Sequence, residues 1–323
     1  MFNHQKTIML MKKIYLALLG AMSMLSVSAQ QGLGGLVLDS TYTTSADGVR
    51  VSKTVCEYNS SKLLVASYDS TYVGGMGQQL AAPVIEGRTI YTYDSDNHIL
   101  SQEDYDYDNG QYILTAKSEF SEWNAEAGQP AVAVVSQVDE ENPAAGLQLL
   151  MKTVVTKFHG KSGAETLESY TWDGLQWVLA GTTTAEFDGA GRKTKETVSM
   201  TVEGYAVDME TTFEYDSKGN PVRETSRTKM MGMNLGQTVT TFANEYYPDD
   251  NLKKVTTTSV TEYGTNVSVE YFFWGSGNTA GIRRAEYLSK KVMQDYDLLG
   301  RKVNEQTVRK GIYIVGGKKV VKK

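Results

Sequence analysis

One phrase is written twice in this chain. Phe187 to Thr197 reads FDGAGRKTKET, and Tyr215 to Thr225, 28 residues later, reads YDSKGNPVRET. Both follow the pattern aromatic-Asp-x-x-Gly, with Glu-Thr at the end. Looser copies stand at Tyr93-Asp94 with Asn97, Tyr247-Pro248 with Asn251 and Tyr58-Asn59 with Lys62. Stretched copies stand at Phe158-His159 with Gly163 and Trp123-Asn124 with Gly128. A unit recurring every ~27 to 35 residues is too small to enclose a core, so neighbouring copies must bury one another. That requirement limits the fold more than any figure of composition.

The phrase has the chemistry of a tight turn. Asp or Asn at its second position accepts a backbone N–H two residues on. Gly at its fifth supplies the positive φ that closes a short hairpin loop. Asn97 and Asn251 stand where Gly is lost, and Asn tolerates the left-handed region best. Lys62 does not fit this rule. The expected turn residues are thus Asp94, Asn97, Asp188, Gly191, Asp216, Gly219, Asn251 and, near the end of the chain, Asp297 and Gly300.

Between turns the hydrophobic period is two. From Tyr205 to Tyr215, Val207, Met209, Thr211 and Phe213 share one parity; Asp208, Glu210, Thr212 and Glu214 take the other. This describes a strand with one covered and one wet face. The frame returns at Trp177–Phe187 and Tyr263–Phe273, and Thr182–Thr184 and Thr256–Thr258 add β propensity. Each unit is then two long antiparallel strands, and the full set amounts to roughly fourteen to sixteen strands, more than a flat sheet usually holds.

The turns and aromatics resemble those of YD-repeat (Rhs-type) proteins, loosely over 88–275 and well over 187–225. The resemblance implies strands wound into a curved or spiralling sheet. The fold class expected is all-β: repetitive antiparallel hairpins in a curved or spiralling meander sheet, with a small C-terminal β-hairpin module. An outer-membrane barrel is disfavoured, because Arg192–Val202 and Pro221–Lys229 carry charge on both parities and leave no lipid-facing stripe.

The first 29 residues read as a secretory signal peptide. Lys12 and Lys13 precede the apolar run Ile14–Leu25, and Val27-Ser28-Ala29 forms a small-residue exit. That run is short of the roughly 20 residues of a membrane span, and no other stretch qualifies. Residues 30–280 form the repeat domain and 281–323 a separate module. The sign of the charge marks the boundary: 281–323 hold 12 Lys/Arg and 4 Asp/Glu, whereas 30–280 hold 17 and 34. So acidic a body repels phosphate backbones, which argues against nucleic-acid binding. The single cysteine, Cys56, excludes an internal disulfide and reads as a strand residue.

Residues able to do chemistry are few. His98 and His159 lie beside turns without metal-ligand spacing, and no cofactor is expected. Asp104, Asp106 and Asp108 alternate before Asn109-Gly110, which suggests the start of a calcium loop. Yet the glycine comes one place late and Thr115 stands where a bidentate acid belongs, so a solvated strand face is the preferred reading. Trp123, Trp172, Trp177 and Trp274 are candidates for stacking on sugar rings, against the alternative of a ladder filling a thin core.

The tail has its own grammar. Tyr296-Asp297-x-x-Gly300-Arg301 obeys the turn rule; Gly311-Ile312-Tyr313-Ile314-Val315 alternates, turns at Gly316-Gly317, and ends in Lys318-Lys319-Val320-Val321-Lys322-Lys323. The stretch from Gly281 resembles the C-terminal sorting domain of proteins exported by the type IX route of Bacteroidota. The resemblance implies recognition by export machinery at the outer membrane, followed by surface attachment or release. The functional expectation is a secreted or cell-surface, non-enzymatic scaffold that contacts glycans or surface proteins. The alternative is a carbohydrate-active enzyme using carboxylates between Asp94 and Asp108.

Overall fold

A computed structural model describes residues 32–74, 77–139, 142–202 and 204–276, together with the backbone of 296–297, 311–315 and 318–322. The signal-type segment, Gly300 and Arg301 lie outside the described residues. The chain divides into two compact units between Gly277 and Asn278.

The first unit is built of sixteen strands. They are β1 (Val37–Ser45), β2 (Arg50–Tyr58), β3 (Leu64–Val73), β4 (Gln79–Tyr93), β5 (Ile99–Asp108), β6 (Gln111–Asn124), β7 (Gln129–Val138) and β8 (Leu147–Phe158). The second half continues with β9 (Ala164–Trp172), β10 (Trp177–Phe187), β11 (Lys193–Val202), β12 (Tyr205–Tyr215), β13 (Pro221–Met230), β14 (Met233–Tyr246), β15 (Leu252–Thr261) and β16 (Gly264–Gly275). Each strand pairs with its neighbours in sequence, and β16 returns to β1 to make a closed barrel. The second unit holds β17 (Tyr296–Asp297), β18 (Gly311–Val315) and β19 (Lys318–Lys322), paired in that order.

Closure settles a point that the expectation of a curved or spiralling sheet left undecided. Thr41 lies opposite Phe272 and Tyr42 opposite Tyr271, antiparallel, so the first strand finds its partner in the last. An open sheet would leave two rows of unpaired N–H and C=O groups, and closure removes both. A hairpin repeat carries no sequence mark for this step, because only the curvature summed over all strands decides whether the ends meet.

The repeated phrase sits at one end of the barrel, the near rim. Asp188 Oδ1 accepts the N–H groups of Ala190 and Arg192 at 2.9 Å each, and Gly191 N donates to the Asp188 carbonyl at 2.9 Å with φ +77°. Asp94 and Asp216 do the same for His98 and Asn220, with Asn97 and Gly219 at positive φ. These bonds hold the carboxyls of Asp94 and Asp188 below the ordinary range, the backbone N–H of residue i+4 contributing most.

Two turn residues are corrected. Lys62 does occupy the left-handed position, at φ +61°, and its N–H closes on the Asn59 carbonyl at 3.0 Å. In the last copy the positive φ, +67°, belongs to Asp250, not to Asn251. The phrase there begins one residue earlier, at Tyr246, with Tyr247 in the Asp slot: Tyr247 N donates to the Asn251 carbonyl at 2.8 Å. Proline has no N–H, so Pro248 has none to give in that slot. Asn251 is instead buried, and its Oδ1 accepts the N–H of Leu33 at 2.7 Å, across the seam where the barrel closes.

The two wall faces differ. Phe120, Met151, Leu167 and Tyr58 are buried, along with Ala133, Thr153, Thr183 and Val198 on the same alternation. Side chains as large as Phe120 and Met151 cannot be covered so fully on a convex wall, so this face is the inner one.

Candidate binding surface

Charge stands at mid-strand on both faces. On the inner face, Asp104 accepts from Thr89 Oγ1 at 2.8 Å, and Glu270 accepts from the Thr41 hydroxyl. Burial, with Glu196 nearby, pushes the Glu224 carboxyl up, and burial also pushes Glu270 up. On the outer face, ion pairs cross the strands, Lys195 to Glu210 at 2.8 Å and Lys254 to Glu245 at 2.7 Å, and Lys117 meets Glu119 along β6 at 3.0 Å. Neither face therefore offers the apolar band, roughly 25 Å tall, that a lipid-facing barrel wall needs. No helix among the described residues is long and apolar enough to cross a membrane.

Inside, a cavity of about 20 Å³ lies between Val155, Leu167, Thr183 and Ala185, with Lys193 and Glu196 at its side. It has room for one water and not for a sugar. Cys56 is buried among Val37, Tyr58 and Leu64, and its thiol is pushed up to about 11, chiefly by burial.

The proposed site residues fall into separate groups. Asp104, Asp106 and Asp108 stand on one face of the extended β5, and Asp104 is also bonded by Gln102 Nε2 at 3.2 Å. Among the described residues the acidic and histidine side chains close enough to share a cation are Asp94, Asp96 and His98. That group is explained by the turn: His98 Nδ1 meets Asp94 Oδ2 at 3.0 Å, as Arg192 Nε meets Asp188 Oδ2 at 2.7 Å in the next well-formed copy.

The four tryptophans divide two and two. Trp123 stacks on His98 with ring centres 4.1 Å apart and covers Ile99, Phe120 and Ala133. Trp274 Nε1 donates to the Leu252 carbonyl at 2.6 Å. Both are fixed at the near rim. Trp172 and Trp177 instead face each other across the Asp173–Gln176 turn at the far rim, edge to face at 5.2 Å. Leu175, at the tip of that turn, is 89% exposed.

This far rim is where apolar surface collects. Tyr263 is 91% exposed at the β15–β16 turn, and Met231, Met233, Leu235 and Val260 are exposed beside it. Of the large apolar residues exposed among those described, all but Leu33, Leu100 and Phe273 belong to the far-rim half of the strands. The near rim carries Asp96, Glu126, Lys161, Lys218 and Asp250 instead. Sequence reasoning missed this difference, although it left a signal. Leu175, Met231 and Tyr263 each sit next to a glycine in a turn, where polar residues are the rule.

No family model matches the chain, and no curated protein matches it. Among solved structures it is similar to a porin-like protein from Bacteroides uniformis ATCC 8492, with 8% identity and a TM-score of 0.47 over 74% of this chain and 98% of that one. A porin-like protein from Bacteroides vulgatus ATCC 8482 shows 10% identity and a TM-score of 0.38 over the same shares. The TcdB2-TccC3-TEV structure shows 11% identity and a TM-score of 0.23, covering 84% of this chain and 17% of that chain.

Proposed function

We propose that the protein is a non-enzymatic binding scaffold of the cell surface or its surroundings, a water-facing barrel that meets glycans or surface proteins with its far rim. The observation that carries this reading is the gathering of exposed apolar and aromatic side chains at one end of the barrel. Such a patch on a folded protein marks a contact surface. The Trp172–Trp177 edge is the part suited to sugar rings, since an aromatic face packs against their C–H groups.

Export fits the same picture. The leader at 1–29 and the sorting-type tail at 281–323 would bring the chain to the cell exterior. Both connections of the barrel, at Gly32 and Ser276, are at the near rim. The far rim is therefore the end of the barrel from which no chain emerges.

Two experiments test the reading. A glycan array probed with purified protein should give binding that Trp172→Ala and Trp177→Ala remove, with no sugar released. Sugar release abolished by Asp104→Asn or Asp106→Asn would put a hydrolase in place of the scaffold. For the address, full-length chain and a version ending at Ala280 should differ in reaching the cell exterior. Equal export of the two would remove the tail from the argument.

A further inference from the structure

On the outer wall, Arg88 of β4 lies against two tyrosines. Its guanidinium carbon is 4.7 Å from the ring centre of Tyr105 on β5 and 4.2 Å from that of Tyr112 on β6. Arg88 is directly opposite Tyr105 in the ladder, and Tyr107, opposite Tyr112, extends the aromatic surface with ring centres 4.9 Å apart. The clamp is rigid at one side, because the Tyr105 hydroxyl is anchored to Glu103 Oε2 at 2.7 Å.

The guanidinium is held but unspent. Other outer-wall cations such as Lys117, Lys195 and Lys254 are paired with carboxylates, whereas Arg88 pairs with none among the described residues. Its Nε is buried with no hydrogen-bond partner. With two rings packed against the guanidinium, its in-plane edge is the part best placed to bind. That edge matches the two oxygens of a carboxylate. Arg50 repeats the arrangement less tightly, 5.4 Å from the Tyr42 ring centre and 5.8 Å from that of Tyr72, also without a carboxylate.

We infer that Arg88, clamped by Tyr105 and Tyr112, is a binding site for a carboxylated saccharide. The carboxylate takes the guanidinium edge, and the sugar ring lies on the adjoining Tyr107–Tyr112 surface. A closed barrel has no free strand edge, so an extended peptide cannot add to it through its main chain. A ring with one carboxylate meets the guanidinium and the aromatic surface together. This site is separate from the Trp172–Trp177 edge, and either can fail without the other.

The test uses full-length protein titrated with a short oligogalacturonate, its fully methyl-esterified form and oligoglutamate. Saturable binding of the oligogalacturonate is expected, with affinity lower by roughly tenfold or more for the ester, which lacks the charge. Arg88→Gln should give a similar loss at unchanged melting temperature, and Arg88→Lys should not restore binding, because an ammonium lacks the planar fork. Tyr112→Ala should weaken binding while keeping the charge. Absence of saturable binding overturns the inference, as does equal binding of the ester or of oligoglutamate, or unchanged binding by Arg88→Gln. The ester comparison needs only the wild-type chain, so a poorly folding variant does not block the test.

Discussion

The Tyr215 hydroxyl donates to the Lys193 carbonyl at 2.7 Å, joining the end of β12 to the start of β11. The same tie recurs around the near rim. Tyr58 reaches the Leu38 carbonyl at 2.7 Å, Tyr93 that of Leu64 at 2.8 Å, and Trp274 that of Leu252 at 2.6 Å. Each of these four aromatics thus fastens a strand's end to the beginning of its neighbour, whereas Phe158 and Phe187, at the same place in the phrase, have no group to donate.

Tyr215→Phe keeps the ring and removes the tie. The expected loss is about 0.5–1.5 kcal/mol, the usual net worth of one hydrogen bond. For a domain of this size that lowers the melting temperature by roughly 2–4 °C per kcal/mol. Combining it with Tyr58→Phe should give nearly the sum, since the two ties share no partner. Calorimetric melts of the single and double variants measure both quantities. Unchanged melting would mean that the hydroxyl bond is not part of the fold's stability.

The last turn separates two roles that adjacent residues can exchange. Asp250 carries the positive φ, so Asp250→Gly removes backbone strain and should be neutral or slightly stabilising, by about 0.5 kcal/mol. Asn251→Gly, one place on, strips the buried acceptor of the Leu33 N–H and should cost about 1–3 kcal/mol. Denaturant melts of the two variants decide the register of the phrase. If Asn251→Gly stabilises, the turn begins at Tyr247 after all.

The hairpins, their turns and their alternating faces were legible because each depends on contacts within some thirty residues. Asp188 and Gly191 illustrate this, since their partners in the turn lie within four residues. Closure was not legible, because the pairing of Thr41 with Phe272 spans nearly the whole domain and needs no special residue. Pro248 marks the register of the last copy in the sequence itself, because a slot that must donate an N–H excludes it. The tryptophans look alike in sequence, and only the alternation of near and far rims separates the bonded Trp274 from the Trp172–Trp177 edge. Arg88 left no local mark at all, because its two tyrosines come from other strands.

Acid should act on stability in two opposite ways. Burial raises the Glu224 and Glu270 carboxyls in the fold, so the folded state binds protons that the unfolded state does not. Their contribution improves as pH falls from neutral toward the ordinary glutamate value, about 4.3, and is lost again as pH rises through the folded values. Asp94, Asp188 and Asp173 are lowered, first by backbone N–H bonds, so their contribution is present above the ordinary carboxylate range and disappears below it. Stability should therefore peak on the acid side of neutrality and then collapse. Melting temperatures across that span check it, and Glu224→Gln should flatten the acid-side rise while leaving the collapse.

Replacing Leu175 and Tyr263 with glutamate distinguishes a contact surface from a structural one. Both side chains are almost wholly in water, so neither change removes packing, and stability should stay within about 0.5 kcal/mol of wild type. A partner that covers the far rim would have to bury the new carboxylates without a counter-charge, which is strongly unfavourable. Binding detected on a glycan array or a cell surface should thus vanish in Leu175→Glu and Tyr263→Glu. Leu100→Glu, exposed near the opposite rim, should leave it intact. Equal loss in all three variants would indicate a general charge effect. Equal retention would mean that the exposed apolar tips are not where this barrel meets its partner.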